Sequence, residues 1–301
     1  MNYSEILSAF CREFDFPAEA ERSLLADLEA FTADLRAKEL LDGYVNGYTG
    51  AWSIDQGKAL DELSDMADTV GVSPYAVHMI FYILLSPKLR ELYREKGIAD
   101  EVFRDSMDDL RCKLYECKTV CDVWGSFVAI WFSRFFNFTL YGLDRLEFAP
   151  LHFHGEYEKN GKVLHDGDFV IDVHIPSKGR LPYESVQDAY RRAAKFFEKE
   201  TGGKPVFFCE SWMLDPGHDR WLDPVKHANL LRFQHDFDLT RTGHDSGDLW
   251  RIFGRDADPS DRADIEALPE ETSLQRAYKT RLLAGDLPGW GEGVYFFVQE
   301  N

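Results

Sequence analysis

Apolar residues in the first ~125 positions recur at spacings of three and four, the period of one face of an α-helix. The runs are separated by residues that commonly begin or end helices, among them Gly43, Gly71 and the pair Ser73-Pro74. Pro87 is also expected to start a helix, and Ala99–Cys121 supplies the last one. The pattern therefore predicts a helical N-terminal region of about five helices.

The segment Val120–Tyr141 is dense in aromatic side chains. Two interpretations fit it. A helix buried between two domains is the one we favour, and a surface on which a cofactor stacks is the alternative.

Beyond residue 142 the pattern changes to short runs in which apolar and polar residues alternate, the period of a β-strand. Asn160-Gly161 is a typical hairpin-turn pair. Two amphipathic stretches, Pro182–Glu200 and Thr272–Ala284, predict helices. The candidate strands are Leu146–His154, Phe169–Ile175, Val206–Met213, Leu231–Leu239 and Gly293–Val298.

These patterns predict an α+β protein in which a helical N-terminal domain, residues 1–141, packs on a mixed β-sheet domain, residues 142–301. The boundary near Gly142 has no flexible linker, which is why we expect the two domains to pack together.

The chain carries a net charge of −19, spread over both halves, and no basic patch stands out. A nucleic acid is therefore not an expected partner, because binding to phosphate backbones needs clustered Lys and Arg. The N-terminus lacks the charged start and apolar core of a secretory signal. The most apolar windows are either too short to span a bilayer or interrupted by polar residues. We therefore expect a cytoplasmic protein that binds no membrane.

Five cysteines are an odd number without the spacing of a disulfide framework. Cys112, Cys117 and Cys121 lie in a predicted helix, where buried free thiols are expected rather than a zinc site.

The turn after the strand Phe169–Ile175 combines several residues suited to an anion. Pro176 ends the strand, because proline cannot donate to a ladder. Ser177 can cap a helix or bind an oxygen, Gly179 allows close backbone approach, and Lys178 and Arg180 add positive charge. An ordinary strand-to-helix turn with solvated basic side chains fits equally well. The turn has neither a Walker sequence nor a GxGxxG fingerprint.

Four blocks of sequence stand out, namely Gly142–Phe148, Asp172–Leu181, Ser211–Pro216 and Asn229–Phe237. They resemble the signatures of a bacterial acyltransferase family. In that family a helical N-terminal domain is paired with a GNAT-like C-terminal domain. The resemblance spans most of the chain, but its specific motifs lie within residues 142–237.

The resemblance implies an acyl-coenzyme A site at the strand Phe169–Ile175 and the turn after it. In GNAT folds, backbone N–H groups of this turn hold the pyrophosphate, and two splayed strands hold the pantetheine arm; here the second strand would be Val206–Met213. The sequence departs from the usual turn, Q/R-x-x-G-x-G/A, because Leu181 stands where a second small residue is expected. The expected cofactor-binding residues are Ile175, Ser177, Lys178, Gly179, Arg180 and Leu181.

Acyl transfer to an amine needs a group that accepts the proton of the nucleophile. His174 and Glu210 are the candidate catalytic residues near these strand ends, although His174 could equally be structural. Cys209 is a competing nucleophile, but its central position in a strand favours an inert, buried thiol.

A metal site is a rival hypothesis. His152, His154 and His174 could converge from neighbouring strands, with Glu156 or Asp172 as a carboxylate ligand. No HExxH-type spacing supports it, so no metal is expected.

The sequence thus predicts a GNAT-like enzyme that transfers an acyl group from acetyl-coenzyme A or another acyl-coenzyme A to a small-molecule acceptor, with an amine as the expected acceptor. A non-catalytic GNAT-like binding module remains the main alternative, because the turn motif is incomplete.

Overall fold

The structure, a computed structural model, describes residues 2–244 and 247–298. It divides into two compact units. The first contains the described residues up to Leu143 together with Pro176–Lys178, and the second contains Asp144–Ile175 and the described residues from Gly179 onward.

The first unit is helical. Helix α5 lies at its core and contacts α1, α2, α3, α4 and α6. Most of its residues are buried, as expected of a helix that is apolar on nearly every side. The elements are α1 Tyr3–Glu13, α2 Ala18–Ala33, α3 Leu35–Gly47, α4 Gln56–Val70, α5 Pro74–Glu95, α6 Asp100–Cys121, a 3-10 helix Ala129–Phe132, α7 Ser133–Phe136 and the short strand β1 Tyr141–Leu143.

Two predicted helix boundaries, a start at Pro87 and an end at Gly43, were wrong. Pro87 lies inside α5, where packing on all sides of the helix outweighs the roughly 3 kcal/mol cost of an internal proline. Gly43 lies inside α3, and the chain breaks at Asp34 instead. The Asp34 side chain caps α3 by accepting hydrogen bonds from the backbone N–H groups of Arg36 and Ala37, at 2.8 and 3.2 Å.

The single helix predicted over Val120–Tyr141 was also wrong. Helix α6 ends at Cys121, and only the two short helical segments follow. Asp122 ends α6 in a left-handed conformation, with a φ of 57°. Gly125 then lets the chain pass close to Tyr75, because a Cβ atom there would lie 2.4 Å from the Tyr75 backbone. The aromatic side chains of Phe132, Phe135 and Phe136 are fully buried, so they do not form an exposed stacking surface.

The second unit is built on a mixed sheet of order β2-β5-β6-β8-β7. Strands β5 and β6 are parallel, and the other neighbouring pairs are antiparallel. The strands are β2 Leu146–His152, β3 Tyr157–Lys159, β4 Lys162–Leu164, β5 Phe169–His174, β6 Val206–Ser211, β7 Asp238–His244 and β8 Gly289–Phe296. The predicted α+β fold class is confirmed.

The hairpin turn predicted at Asn160-Gly161 is confirmed. Both residues have positive φ angles, 53° and 75°, and they join β3 to β4 in a separate two-stranded ribbon. The helices of this unit are α8 Tyr183–Phe196, α9 Glu198–Thr201, α10 His218–Trp221, α11 Ala228–Asp236, α12 Leu249–Phe253, α13 Arg262–Glu266 and α14 Ser273–Leu283.

The strand predicted over Leu231–Leu239 was wrong, because most of it is helix α11. Phe233 and Phe237 are four residues apart and their rings are in contact, with centroids at 5.4 Å. A spacing of four fits both the helix and the strand period, which is why the pattern misled the prediction.

Helix α8 packs on one face of the sheet, where Tyr190 stacks on Phe207 with ring centroids 4.6 Å apart. Near the start of β5, the opposite face holds a second buried apolar cluster that includes Val170, Val206 and Val294. Within the described residues, no helix has both the length and the apolarity needed to cross a bilayer.

Candidate active site

The parallel strands β5 and β6 separate partway along their length. Their ladder has two rows, Ile171 opposite Phe207 and Asp172 opposite Phe208. Beyond these rows each strand keeps only its outer neighbour, so that His174 pairs with Glu147 and Glu210 pairs with Glu292. The carboxyl ends of two adjacent parallel strands therefore diverge in the middle of the sheet, which leaves backbone groups on both edges able to bind an extended ligand.

A row of ionisable residues crosses one face of the sheet at this opening. His174 and Glu210 each lie two residues beyond the last parallel row, so both point to the face that carries Asp172. Cross-strand register places Glu147 beside His174, and Glu292 between Glu210 and Arg241.

His174 and Asp172 form a close pair at the start of this opening. His174 Nε2 lies 2.8 Å from Asp172 Oδ2, and the two side chains are only 25% and 15% exposed. A carboxylate at this distance accepts a hydrogen bond from an imidazole ring and fixes its orientation. The pair can therefore accept a proton from a bound nucleophile.

Glu210 is more open to solvent than His174. Its side chain is 55% exposed, and Arg241 Nη2 lies 3.9 Å from its Oε2. Arg241 pairs more closely with Glu292, at 2.6 Å. Glu210 thus lies at the edge of the opening, and within residues 2–244 and 247–298 its only cationic partner is the distant Arg241.

Cys209 lies on the opposite face and is fully buried. Burial, with the nearby carboxylates of Asp172 and Glu210, raises the pKa of its thiol well above the ordinary value. A thiol in this state is a poor nucleophile, as the sequence suggested.

The turn between β5 and α8 holds the residues predicted to bind a cofactor. Ile175 follows the end of β5 at His174. Lys178 donates its backbone N–H to the carbonyl of Pro176 at 2.8 Å. Gly179 has a φ of +73°, which favours glycine, and a Cβ there would meet no other atom.

Three consecutive N–H groups precede the helix. Among the described residues, the backbone N–H groups of Gly179, Arg180 and Leu181 have no hydrogen-bond acceptor. They lie just before α8, which begins after Pro182 at Tyr183. Unsatisfied N–H groups at this position suit an anion such as a phosphate.

Arg145 is a residue of this site that the sequence reasoning missed. It is 8% exposed, and its guanidinium donates to the carbonyls of Gly179 and Arg180, both at 3.2 Å. Because Arg145 binds these carbonyl oxygens, the N–H groups on the other side of the turn are left for a ligand. Asp144 before it has a φ of +66°, and no sequence pattern around this tight turn showed where Arg145 would lie.

Asp236 was also missed, and it fixes the start of α8. Its carboxylate accepts hydrogen bonds from Tyr183 Oη at 2.7 Å and Gln187 Nε2 at 3.2 Å. Burial raises the pKa of Asp236 to about 6, against the opposing effect of these two donors.

The histidines proposed for a metal site do not converge. His152 pairs with Phe169 at one end of the β2–β5 ladder, whereas His174 pairs with Glu147 at the other end. Five residues of strand separate them, a distance of roughly 17 Å. In residues 2–244 and 247–298, no group of three or more His, Cys, Asp or Glu side chains could hold a metal ion.

A helical unit followed by a mixed sheet with a splayed parallel pair is the architecture of a GNAT-like acyltransferase. Two family models match the chain: an N-acyltransferase N-terminal domain over residues 5–138 and a GNAT-like C-terminal domain over residues 140–295. The chain belongs to this family, and the resemblance seen in the sequence is confirmed.

Several solved structures share the fold. An acyltransferase in complex with decanoyl-CoA and teicoplanin superposes with a TM-score of 0.71 at 20% identity, covering 97% of this chain and 87% of that chain. The crystal structure of an acyltransferase with decanoyl-CoA gives 0.72 at 19% identity, covering 97% of this chain and 87% of that one. An acyltransferase mutant with octanoyl-CoA gives 0.71 at 19% identity, covering 98% and 88%. No curated protein matches the chain.

Proposed function

We propose that the protein transfers an acyl group from acetyl-coenzyme A or another acyl-coenzyme A to an amine of a small acceptor. The divergence of β5 and β6, with the His174–Asp172 pair at its start, is the observation that carries the proposal. Structural neighbours that bind decanoyl-CoA, octanoyl-CoA and teicoplanin support the choice of donor and of a small-molecule acceptor.

In this proposal the edges of β5 and β6 bind the pantetheine arm. The turn formed by Ile175 and residues 177–181 holds the pyrophosphate, chiefly through the backbone N–H groups of Gly179, Arg180 and Leu181. The helix dipole of α8 adds favourable potential for the anion.

The proposed chemistry is direct transfer. The acceptor nitrogen attacks the thioester carbonyl carbon, a C–N bond forms, the C–S bond breaks, and the thiolate sulfur takes up a proton and leaves as the thiol. His174 accepts the proton released by the nitrogen, and Asp172 stabilises the imidazolium that results. Glu210, on the same face, is the second candidate for the proton acceptor.

We also propose that residues 1–141 and 142–301 are the two functional domains. The extents of the two family matches, 5–138 and 140–295, support this division.

Calorimetric titration with coenzyme A, followed by thiol-release assays with acetyl-, octanoyl- and decanoyl-CoA and a panel of amines, tests the function. His174→Gln is expected to lower kcat by about a hundredfold, because a positioned base typically contributes 10²–10⁴. His165→Gln is the matched control, since His165 forms a surface pair with Glu156 at 2.7 Å away from the opening.

No coenzyme A binding at millimolar concentration would refute the acyltransferase proposal. Binding without turnover of any amine would indicate a non-catalytic module. If the His174→Gln variant is active and the Glu210→Gln variant is inactive, Glu210 is the base.

A further inference from the structure

The first half of the cofactor turn belongs to the helical unit. Ser177 Oγ donates a hydrogen bond to Glu116 Oε1 of α6. Lys178 Nζ lies 3.3 Å from Asp108 Oδ2 and donates to the carbonyl of Asp105 at 3.3 Å. Two of the three side chains that the sequence offered for an anion, those of Ser177 and Lys178, are thus directed at α6.

The residues of α6 that receive them, Asp105, Asp108 and Glu116, lie on one face of the helix together with Asp109 and Lys113. Lys113 Nζ donates to Glu116 Oε1 at 3.0 Å, and it lies 3.9 Å from Asp109 Oδ1. The Lys113 and Glu116 side chains are about a tenth exposed. Asp109 is completely buried.

Asp109 lies among the charged groups of this cluster. Burial raises the pKa of Asp109, with the Glu116 carboxylate acting in the same direction and Lys113 opposing it. The carboxylates of Asp108 and Glu116 face the ammonium groups of Lys178 and Lys113. Arg111 Nη2 also lies 2.7 Å from Asp108 Oδ1. Ion pairs shielded from water in this way hold their geometry more firmly than exposed pairs.

We propose that Glu116 and Asp108 are positioning residues for the coenzyme A turn. They hold Ser177 and Lys178 on α6, and this fixes the direction in which the next residues, Gly179–Leu181, present their N–H groups. The inference rests on the proposed function, since it assumes that this turn binds the pyrophosphate. Ser177 and Lys178 then act through the backbone of the turn and not as direct ligands.

The test compares two acyl donors, acyl-coenzyme A and the corresponding acyl-pantetheine, which lacks the pyrophosphate. Glu116→Ala and Asp108→Ala are expected to raise KM for acyl-coenzyme A by about tenfold, the effect of losing one hydrogen bond to a charged group. Their kcat for acyl-coenzyme A and their kinetics with acyl-pantetheine stay within about twofold of the unmodified protein.

Glu116→Gln keeps an oxygen for Ser177 Oγ and is expected to recover KM to within about threefold. Arg104→Ala removes an exposed ion pair with Asp100 on the same helix and serves as the control.

The inference would be overturned if the alanine variants raised KM equally for both donors, or if KM were unchanged in both variants. If the unmodified protein fails to prefer acyl-coenzyme A over acyl-pantetheine, the pyrophosphate site itself is refuted. Should an alanine variant not fold by circular dichroism, Glu116→Gln and Asp108→Asn give the same comparison, with smaller expected changes in the same direction.

Discussion

Asp109 and Asp215 show how differently one residue type behaves when it is buried. Asp215 is 2% exposed, but it accepts hydrogen bonds from Arg281 Nη1 and from the backbone of Gly217 and Gly289. These donors lower its pKa although burial opposes them. Neither carboxylate oxygen of Asp109 has a hydrogen-bond donor among the described residues. Burial therefore dominates and raises the pKa of Asp109.

This difference predicts that Asp109→Asn stabilises the protein, and increasingly so as the pH rises. Because the folded pKa is raised, the unfolded chain loses its Asp109 proton first, and the folded state then binds more protons than the unfolded state. The free energy of unfolding of the unmodified protein, compared with that of the Asp109→Asn variant, should fall as the pH increases from about 4. Urea unfolding between pH 4 and pH 8, roughly the range above the ordinary Asp pKa, measures the difference.

The exposed Asp65→Asn variant provides the baseline. A variant less stable than the original protein at neutral pH would mean that attraction between Asp109 and Lys113 outweighs the cost of burial.

Strand β1 and helix α6 approach each other closely in the helical unit. A Cβ atom on Gly142 would lie 2.4 Å from the carbonyl carbon of Asp105. The N–H of Gly142 also donates to Ser106 Oγ at 2.8 Å. This approach sets the distance between β1 and the helix that carries Asp108 and Glu116.

Gly142→Ala is therefore expected to destabilise the protein by about 2–3 kcal/mol, because the added methyl group must push the two backbones apart. Gly43→Ala is the opposite case, since Gly43 lies in the middle of α3 with no atom within 4 Å of its Cβ position. It should stabilise by about 0.5–1 kcal/mol. Thermal and urea unfolding compare the two, and equal effects would contradict the packing argument.

Element types followed from the sequence where period and capping agreed, and failed where they did not. Apolar spacings of three and four predicted the helical unit, and Asn160-Gly161 predicted the hairpin between β3 and β4. Sequence reasoning overlooked Asp34 as a cap and assigned Pro87 too much weight. The strand and the turn proposed for the cofactor followed from the residue pattern, whereas their assignment to coenzyme A rested on the resemblance. Their contacts with α6 could not be predicted, because Ser177 and Glu116 are 61 positions apart.

At the scale of the whole molecule, the dominant electrostatic property is the net charge of −19. Many ion pairs are present, and several of them join exposed side chains one turn apart on a helix, such as Lys58 with Glu62 and Arg262 with Glu266. Such pairs contribute only about 0–1 kcal/mol each. Repulsion among the excess carboxylates acts throughout the folded state and opposes it.

Added salt should consequently stabilise the protein. Raising the ionic strength from about 0.01 to about 0.15 M shortens the screening length from roughly 30 to 8 Å and weakens the net repulsion more than the close pairs. The melting temperature is expected to rise by about 2–4 °C, measured by calorimetry in sodium chloride. A fall would show that attractive pairs dominate the balance.

The assignment of Pro176–Lys178 to the helical unit has a consequence for how such genes can recombine. A crossover near residue 143 would join a foreign α6 to the native turn, and Glu116 and Asp108 would be exchanged without Ser177 and Lys178. Chimeras of two relatives would then lose the match between helix and turn although each half is inherited intact. The helix and the turn are therefore expected to be inherited as a matched pair.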